Sequence, residues 1–137
     1  VRYTLLVPSL RYAAAVKAMR TDLTTKYGFA QIDNKNFWYG MQLYRGINDV
    51  YAMPVRREGS AMKELFFEVQ LHTPESIALK KAIHPLMKQE QDPALDSSTK
   101  ERLQEEMLAK VRACPLPDGV LALPKQVVRP PWFRAVR

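Results

Sequence analysis

Hydrophobic and polar positions alternate most cleanly in FFEVQLHT, residues 66–73. There Phe67, Val69 and Leu71 fall on one side of an extended chain, and Glu68, Gln70 and His72 on the other. A solvated outer face produces such alternation, and so does a strand whose polar side floors a site. Around it the pattern predicts a first strand over Val1–Val7, ended by Pro8. A helix follows from about Leu10 to Tyr27, with Ser9 as cap and Gly28 as stop. In that helix Tyr12, Val16, Met19 and Leu23 form a core-facing stripe, while Arg11, Lys17, Arg20 and Asp22 face outward. Two extended segments come next, about Phe29–Trp38 and Tyr44–Met53, joined by the loop YGMQL. Pro54 and the run VRREGS are expected to turn the chain back into a strand over Glu64–His72.

The second half reads as helical. Thr73-Pro74-Glu75 combines a cap, a first-turn proline and an early acid, and the helix it opens should run towards Gln89, with Pro85 kinking or breaking it. Ser98-Thr99-Lys100-Glu101 is a capping box that opens a third helix to about Ala113, buried along Leu103, Met107 and Val111. Residues 114–137 hold five prolines and form a basic tail expected to be largely extended. With 137 residues, no internal repeat and no dividing linker, the chain is one α+β domain: a mixed sheet of four to five strands with helices packed on it.

Charge narrows the partners. The net charge of +7 is +5 over residues 1–58, −1 over residues 59–113 and +3 over residues 114–137. Anionic ligands are favoured: nucleotides, RNA, or an acidic protein. One cysteine, Cys114, excludes an internal disulfide and a cysteine-based zinc site, and His72 and His84 are too few for a metal cluster without carboxylates. Mg²⁺, which needs only one or two carboxylates plus substrate phosphates, stays open. No apolar run approaches a membrane span, and no charged-then-apolar leader precedes the first strand. Because Val1 already lies within a strand, the chain is expected to be an excised domain whose upstream residues lie outside it.

Four groups could carry chemistry. Glu68, with Gln70 and His72 beside it, is the best general-base candidate. LYRGIN, residues 43–48, puts Tyr44, Gly46 and Asn48 on one face of an extended segment, so a flat ligand could stack on Tyr44 with no side chain at 46; a β-bulge with a surface tyrosine fits the same letters. Lys35 opens KNFW near a strand end, where it suits a phosphate or simply solvent. Arg2 suits bidentate phosphate contact but stands alone. His84, before Pro85, is expected to pack or cap a kink, and Cys114 lacks the cationic surroundings that activate a thiol.

KNFW, LYRGIN and FFEVQLHT, in that order, resemble the synthetase domain of RelA/SpoT-type alarmone synthetases, whose corresponding segments read K-D-Y-I, G-Y-R-S-x-H and E-x-Q-x-R-T. The resemblance covers roughly residues 1–75. HTPES, the helix with Pro85 and CPLPDGV are similar to the branch found in bacterial toxins and secreted effectors. It implies a nucleotidyltransferase-like synthetase fold and pyrophosphate transfer from ATP to the 3′-hydroxyl of a purine nucleotide. On this resemblance Glu68 is the base or a Mg²⁺-associated carboxylate, Tyr44 stacks on the acceptor base, and Lys35 and Arg2 meet phosphates. Arg45, Asn48, Gln70 and His72 complete the substrate pocket. Asn48 stands for the family's His, Gly46 for its Ser, Leu43 for its Gly and His72 for its Arg, and the 35–44 loop lacks a second lysine. These departures leave the acceptor open between guanine nucleotides, adenine nucleotides and the 3′ end of tRNA. The family's Mg²⁺-binding Asp falls before Val1, and its donor-binding segment further upstream, so a domain that binds without turnover is the non-enzymatic alternative. The implied place of action is the bacterial cytoplasm, reached directly or by delivery as part of a larger toxin, and the toxin branch implies an acidic immunity or antitoxin protein as partner, met through the basic tail. ADP-ribosyl transfer is disfavoured, because the strand reads E-V-Q and lacks a paired acidic pattern.

Overall fold

The computed structural model describes residues 1–56, 59, 62–125 and 127–135. Four strands make one mixed sheet in the order β1-β4-β3-β2: β1 Arg2–Leu6, β2 Ala30–Asn36, β3 Ile47–Arg56 and β4 Met62–His72. β4 pairs in parallel with β1 and antiparallel with β3, and β3 is antiparallel to β2. Helix α1 (Tyr12–Thr21) lies between β1 and β2 in sequence, and α2 (Pro74–Glu90), α3 (Ser97–Ala113) and a short α4 (Pro131–Ala135) follow β4. The α+β class and mixed sheet are as the sequence predicts, with four strands.

The odd positions of β4 go where alternation sends them. Val69 and Leu71 join Tyr12 and Val16 of α1, Ile47 and Tyr51 of β3, and Trp38 in the principal core. Burying such side chains is worth about 1.5–3 kcal/mol each. Leu79 and Ile83 of α2 and Met107 and Val111 of α3 form a second cluster, so the stripe expected of α3 is the buried one. Thr73 caps α2 as expected: its hydroxyl accepts from the Ser76 amide at 3.0 Å, and Ser76 Oγ accepts from the Thr73 amide at 2.9 Å.

Several boundaries differ from expectation. Ser9 does not cap α1; it opens a 3₁₀ turn, Ser9–Arg11, preceded by Pro8 with no side-chain cap bond. The helix ends in a π turn, Asp22–Lys26, where Thr24 and Thr25 hydroxyls bond the Arg20 and Thr21 carbonyls at 2.7 and 2.6 Å. β3 starts at Ile47, which leaves Tyr44, Arg45 and Gly46 in the loop before it. It also runs through Pro54, where the sequence predicts a turn. β2 pairs with β3 only as far as Ala52, so at Pro54 that side of the ladder is open and a missing amide proton costs nothing. Of the VRREGS turn, Arg57, Glu58 and Ser60 lie outside the described residues. α2 continues through Pro85, and α3 is capped by Asp96, whose carboxylate accepts from the Thr99 amide at 2.8 Å. The tail carries a 3₁₀ turn at Val120–Ala122 as well as α4.

Arg20 is the largest correction. Expected to face outward, it is buried and gives its Nε and Nη2 to Asp49 Oδ2 and Oδ1 at 2.8 and 2.9 Å. Tyr51 donates to the same carboxylate at 3.0 Å. Asp49 thus satisfies its charge between α1 and the sheet. Asp49→Ala strands the guanidinium and is expected to lower the unfolding free energy by about 3–5 kcal/mol. Lys17→Ala, on the exposed side of α1, should change it by less than about 0.5 kcal/mol. Urea melts of the two variants check the contrast.

Candidate active site

The face of the sheet opposite α1 is built by register. Arg2 stands beside Glu68, Thr4 beside Gln70, Gln70 beside Asn48, and Asn48 beside Lys35. Directly opposed residues share a face, so one row runs Thr4, Gln70, Asn48, Lys35, and the next begins with Arg2 and Glu68. The residues singled out in four separate segments meet on one surface.

Glu68 is held on both oxygens. Arg2 Nε reaches Oε2 at 3.1 Å, and Gln70 Nε2 donates to Oε1 at 3.3 Å. The Glu68 side chain is one-quarter exposed, at 25%, so it remains open to a ligand. Gln70 is itself buried, and its Oε1 has no hydrogen-bond partner among the described residues, which leaves an acceptor beside the carboxylate.

Tyr44 closes the other end. Its hydroxyl donates to Asn48 Oδ1 at 2.9 Å and lies 2.9 Å from His72 Nε2. Its ring meets Phe37 and His72 edge to face, with centroids at 5.1 and 5.3 Å. Burial pushes the Tyr44 hydroxyl up to about 12, so it acts as a neutral donor. His72 is fully buried, with Nδ1 2.8 Å from Ser76 Oγ. Burial first, and Lys80 second, pull its pKa down to about 4. If the Tyr44 proton goes to Asn48, Nε2 of the neutral ring carries the imidazole proton and Nδ1 accepts from Ser76. A Cβ at Gly46 would come within 2.9 Å of the His72 ring. The missing side chain therefore makes room for an imidazole from the neighbouring strand, where the sequence suggested a flat ligand.

The remaining candidates divide. Lys35 is exposed and lies 4.0 Å from Asp33. Arg45 turns away from the row: its guanidinium donates to the carbonyls of Phe37, Tyr39 and Gly40 at 3.0, 3.4 and 2.7 Å, and so ties down the preceding loop. Burial raises the Cys114 thiol, in keeping with an unactivated cysteine.

A cleft of about 740 Å³ lies between the 37–44 loop and α2, lined among others by Phe37, Leu43, Tyr44, Lys80, His84 and Met87. His84, read as packing or capping a kink, is on its wall. The signal was present in sequence, because Lys80 and His84 sit four apart on a helix and share a side. Among the described residues no three His, Cys, Asp or Glu side chains group as a metal site, and no helix is long and apolar enough to cross a membrane.

No protein-family model matches the chain, and no curated protein matches it in sequence. Solved structures do. Small alarmone synthetase 1 from Bacillus subtilis, bound to its product pppGpp, matches with a TM-score of 0.52 and 18% identity over 81% of this chain and 55% of that one. A GTP pyrophosphokinase family protein from Streptococcus pneumoniae gives 0.53 and 18% over 80% and 52%. Small alarmone synthetase 2 from Bacillus subtilis gives 0.51 and 12% over 80% and 60%. The chain has the alarmone-synthetase fold and spans little more than half the length of these structures.

The buried imidazole sets a pH dependence. His72 holds a proton below 6.5 when unfolded but only below about 4 when folded. Its contribution is complete above pH 6.5 and is lost as pH falls towards 4, at up to about 1.4 kcal/mol per pH unit. Urea melts across that window should show a steeper acid loss for the native protein than for His72→Gln; equal slopes would contradict a neutral His72.

Proposed function

We propose that this chain is a pyrophosphokinase-type transferase domain that moves a pyrophosphoryl group from ATP to the 3′-hydroxyl of a purine nucleotide. The observation that carries the reading is Glu68, held in position by Arg2 and Gln70 on an open sheet face whose other end is the Tyr44 cleft. The fold shared with alarmone synthetases supports it.

The residues divide the work by chemistry. Tyr44 and Phe37 offer aromatic surface to the acceptor base. Asn48 and the unpartnered Oε1 of Gln70 lie between that cleft and Glu68, where a ribose needs hydrogen-bond partners. The acceptor 3′-oxygen attacks the β-phosphorus of ATP, the bond to the α-phosphate oxygen breaks, and AMP leaves. Glu68 takes the hydroxyl proton. Arg2 and Lys35 are the cations nearest this row and would face the charge that spreads over the phosphoryl oxygens. Glu68 also fits a shared ligand for Mg²⁺, an ion usually held by one or two carboxylates plus substrate phosphates. When bound, that ion supplies charge neutralisation at the phosphates.

Glu68→Gln is the sharpest test. With β,γ-labelled ATP and GDP, ADP or tRNA offered as acceptors, transfer should fall by at least about 100-fold, while acceptor binding and thermal stability stay close to native. Transfer that survives in Glu68→Gln removes the assignment of the base. Acceptor binding with no transfer by the native protein leaves a nucleotide-binding domain and removes the transferase. Tyr44→Ala should weaken acceptor binding about tenfold, the scale of one lost aromatic stacking contact, measured by titration calorimetry.

A further inference from the structure

β1 is an edge strand with one side of its backbone in use. The Val1 carbonyl accepts from the Glu68 amide, and the Val7 amide donates to the His72 carbonyl. In this parallel ladder the odd residues of β1 therefore turn their N–H and C=O towards β4. The amides and carbonyls of Arg2, Thr4 and Leu6 point out of the sheet, and among the described residues no strand pairs with that side. Both faces are open as well. All five residues are exposed, Tyr3 and Leu5 at 54% and 42% on the α1 face and Leu6 at 58% on the other. The usual protections of an edge are missing over Arg2–Leu6. The strand has no proline, no lysine and no bulge, and its one charge, Arg2, is turned to Glu68.

The strand is complementary to itself. Set antiparallel to a second copy about a two-fold axis at Thr4, it places Thr4 opposite Thr4 and Arg2 opposite Leu6. These are the residues with outward backbone groups, so each pair can exchange both hydrogen bonds. On the α1 face Tyr3 then meets Leu5 and Val1 meets Val7, apolar against apolar at every position. On the other face the two Arg2 side chains lie at opposite ends of the seam, and no like charges oppose each other. A one-residue slip would set outward groups against inward ones, and a register that paired Arg2 with Pro8 would lack an amide proton. Beside the seam a hollow of about 200 Å³ is lined by Val1, Tyr3, Phe29, Met53, Leu65 and Phe67, so the apolar face continues inland from the edge.

We propose that β1 pairs with β1 of a second copy of this chain, joining two four-stranded sheets into one continuous sheet. A two-fold axis perpendicular to the sheet keeps like faces together, so both Glu68 carboxylates open to the same side. Leu6 of the second copy then lies against the stem of Arg2, the residue that anchors Glu68. The pairing does not depend on the reaction assigned to Glu68.

Sedimentation velocity over a dilution series of the native chain should show a reversible monomer–dimer equilibrium. Thr4→Lys sets two ammonium groups opposite each other and Thr4→Glu two carboxylates, and each alone should raise the dimer dissociation constant about fivefold or more. An equimolar mixture of the two variants should dimerise again, because only a seam centred on position 4 brings those residues face to face. Thr4→Pro removes an outward amide proton that β4 does not use, one from each copy, and should weaken the dimer about tenfold. Thermal unfolding at the lowest concentration is the folding control. A monomer throughout the series overturns the proposal and leaves the edge to a different strand. A dimer that all three variants leave intact overturns it too, because the contact then lies elsewhere. Weakening by both charged variants without recovery in the mixture overturns the two-fold at Thr4.

Discussion

His72 occupies the space that a side chain at position 46 would fill, and its two ring nitrogens reach groups from different elements. One meets Tyr44 in the loop before β3, and the other meets Ser76 in the first turn of α2. Strand, helix and loop are referenced to one fully buried imidazole. If the ring were absent, Tyr44 would lose a hydrogen bond and an edge contact together, and Ser76 would keep only its local capping role. The aromatic wall of the cleft is therefore fixed by a residue that a ligand in that cleft need not touch.

The sheet puts its buried charge pair and its candidate chemistry on opposite faces, the second face being closed only towards Ala52, where Phe133 of α4 packs on it, and at His72. Odd positions of β3 and β4 meet α1, and there the one deeply buried charge pair described, Arg20 with Asp49, is satisfied internally. Even positions look the other way, and on them lie a partly exposed carboxylate, an unpartnered amide oxygen and exposed cations. On the first face the Arg20–Asp49 pair is closed, although Gln31 Oε1 beside it has no hydrogen-bond partner among the described residues; on the second, the exposed groups have capacity left for a ligand.

Much of this was legible in the sequence, for a definite reason in each case. The period of two in residues 66–72 fixed which side chains share the polar face, because a strand allows no other assignment. The capping letters Thr73-Pro74-Glu75 are local, and α2 begins where they say. What was not legible depends on tertiary partners. Nothing near Arg20 in sequence announces Asp49, so the helical pattern alone turns this arginine to solvent. Pro54 reads as a turn unless one knows that β2 stops pairing at Ala52. Arg45 looks like a ligand contact until the carbonyls of residues 37–40 fold over it. The role of Gly46 was half visible: a close approach was expected, but the approaching group is an imidazole from β4.

The parallel pairing of β1 with β4 has a kinetic side. Arg2 and Glu68 are 66 positions apart, and the Val1 carbonyl accepts from the Glu68 amide at 2.9 Å at the start of the same ladder. The β3–β4 hairpin closes a short loop, whereas this ladder must close one that contains α1 and two other strands, with the entropy of that closure unrewarded until the strands meet. Glu68 thus acquires one of its two anchors through the least local contact in the sheet. Nearly half of the chain lies within the loop that must close before the carboxylate is held in place.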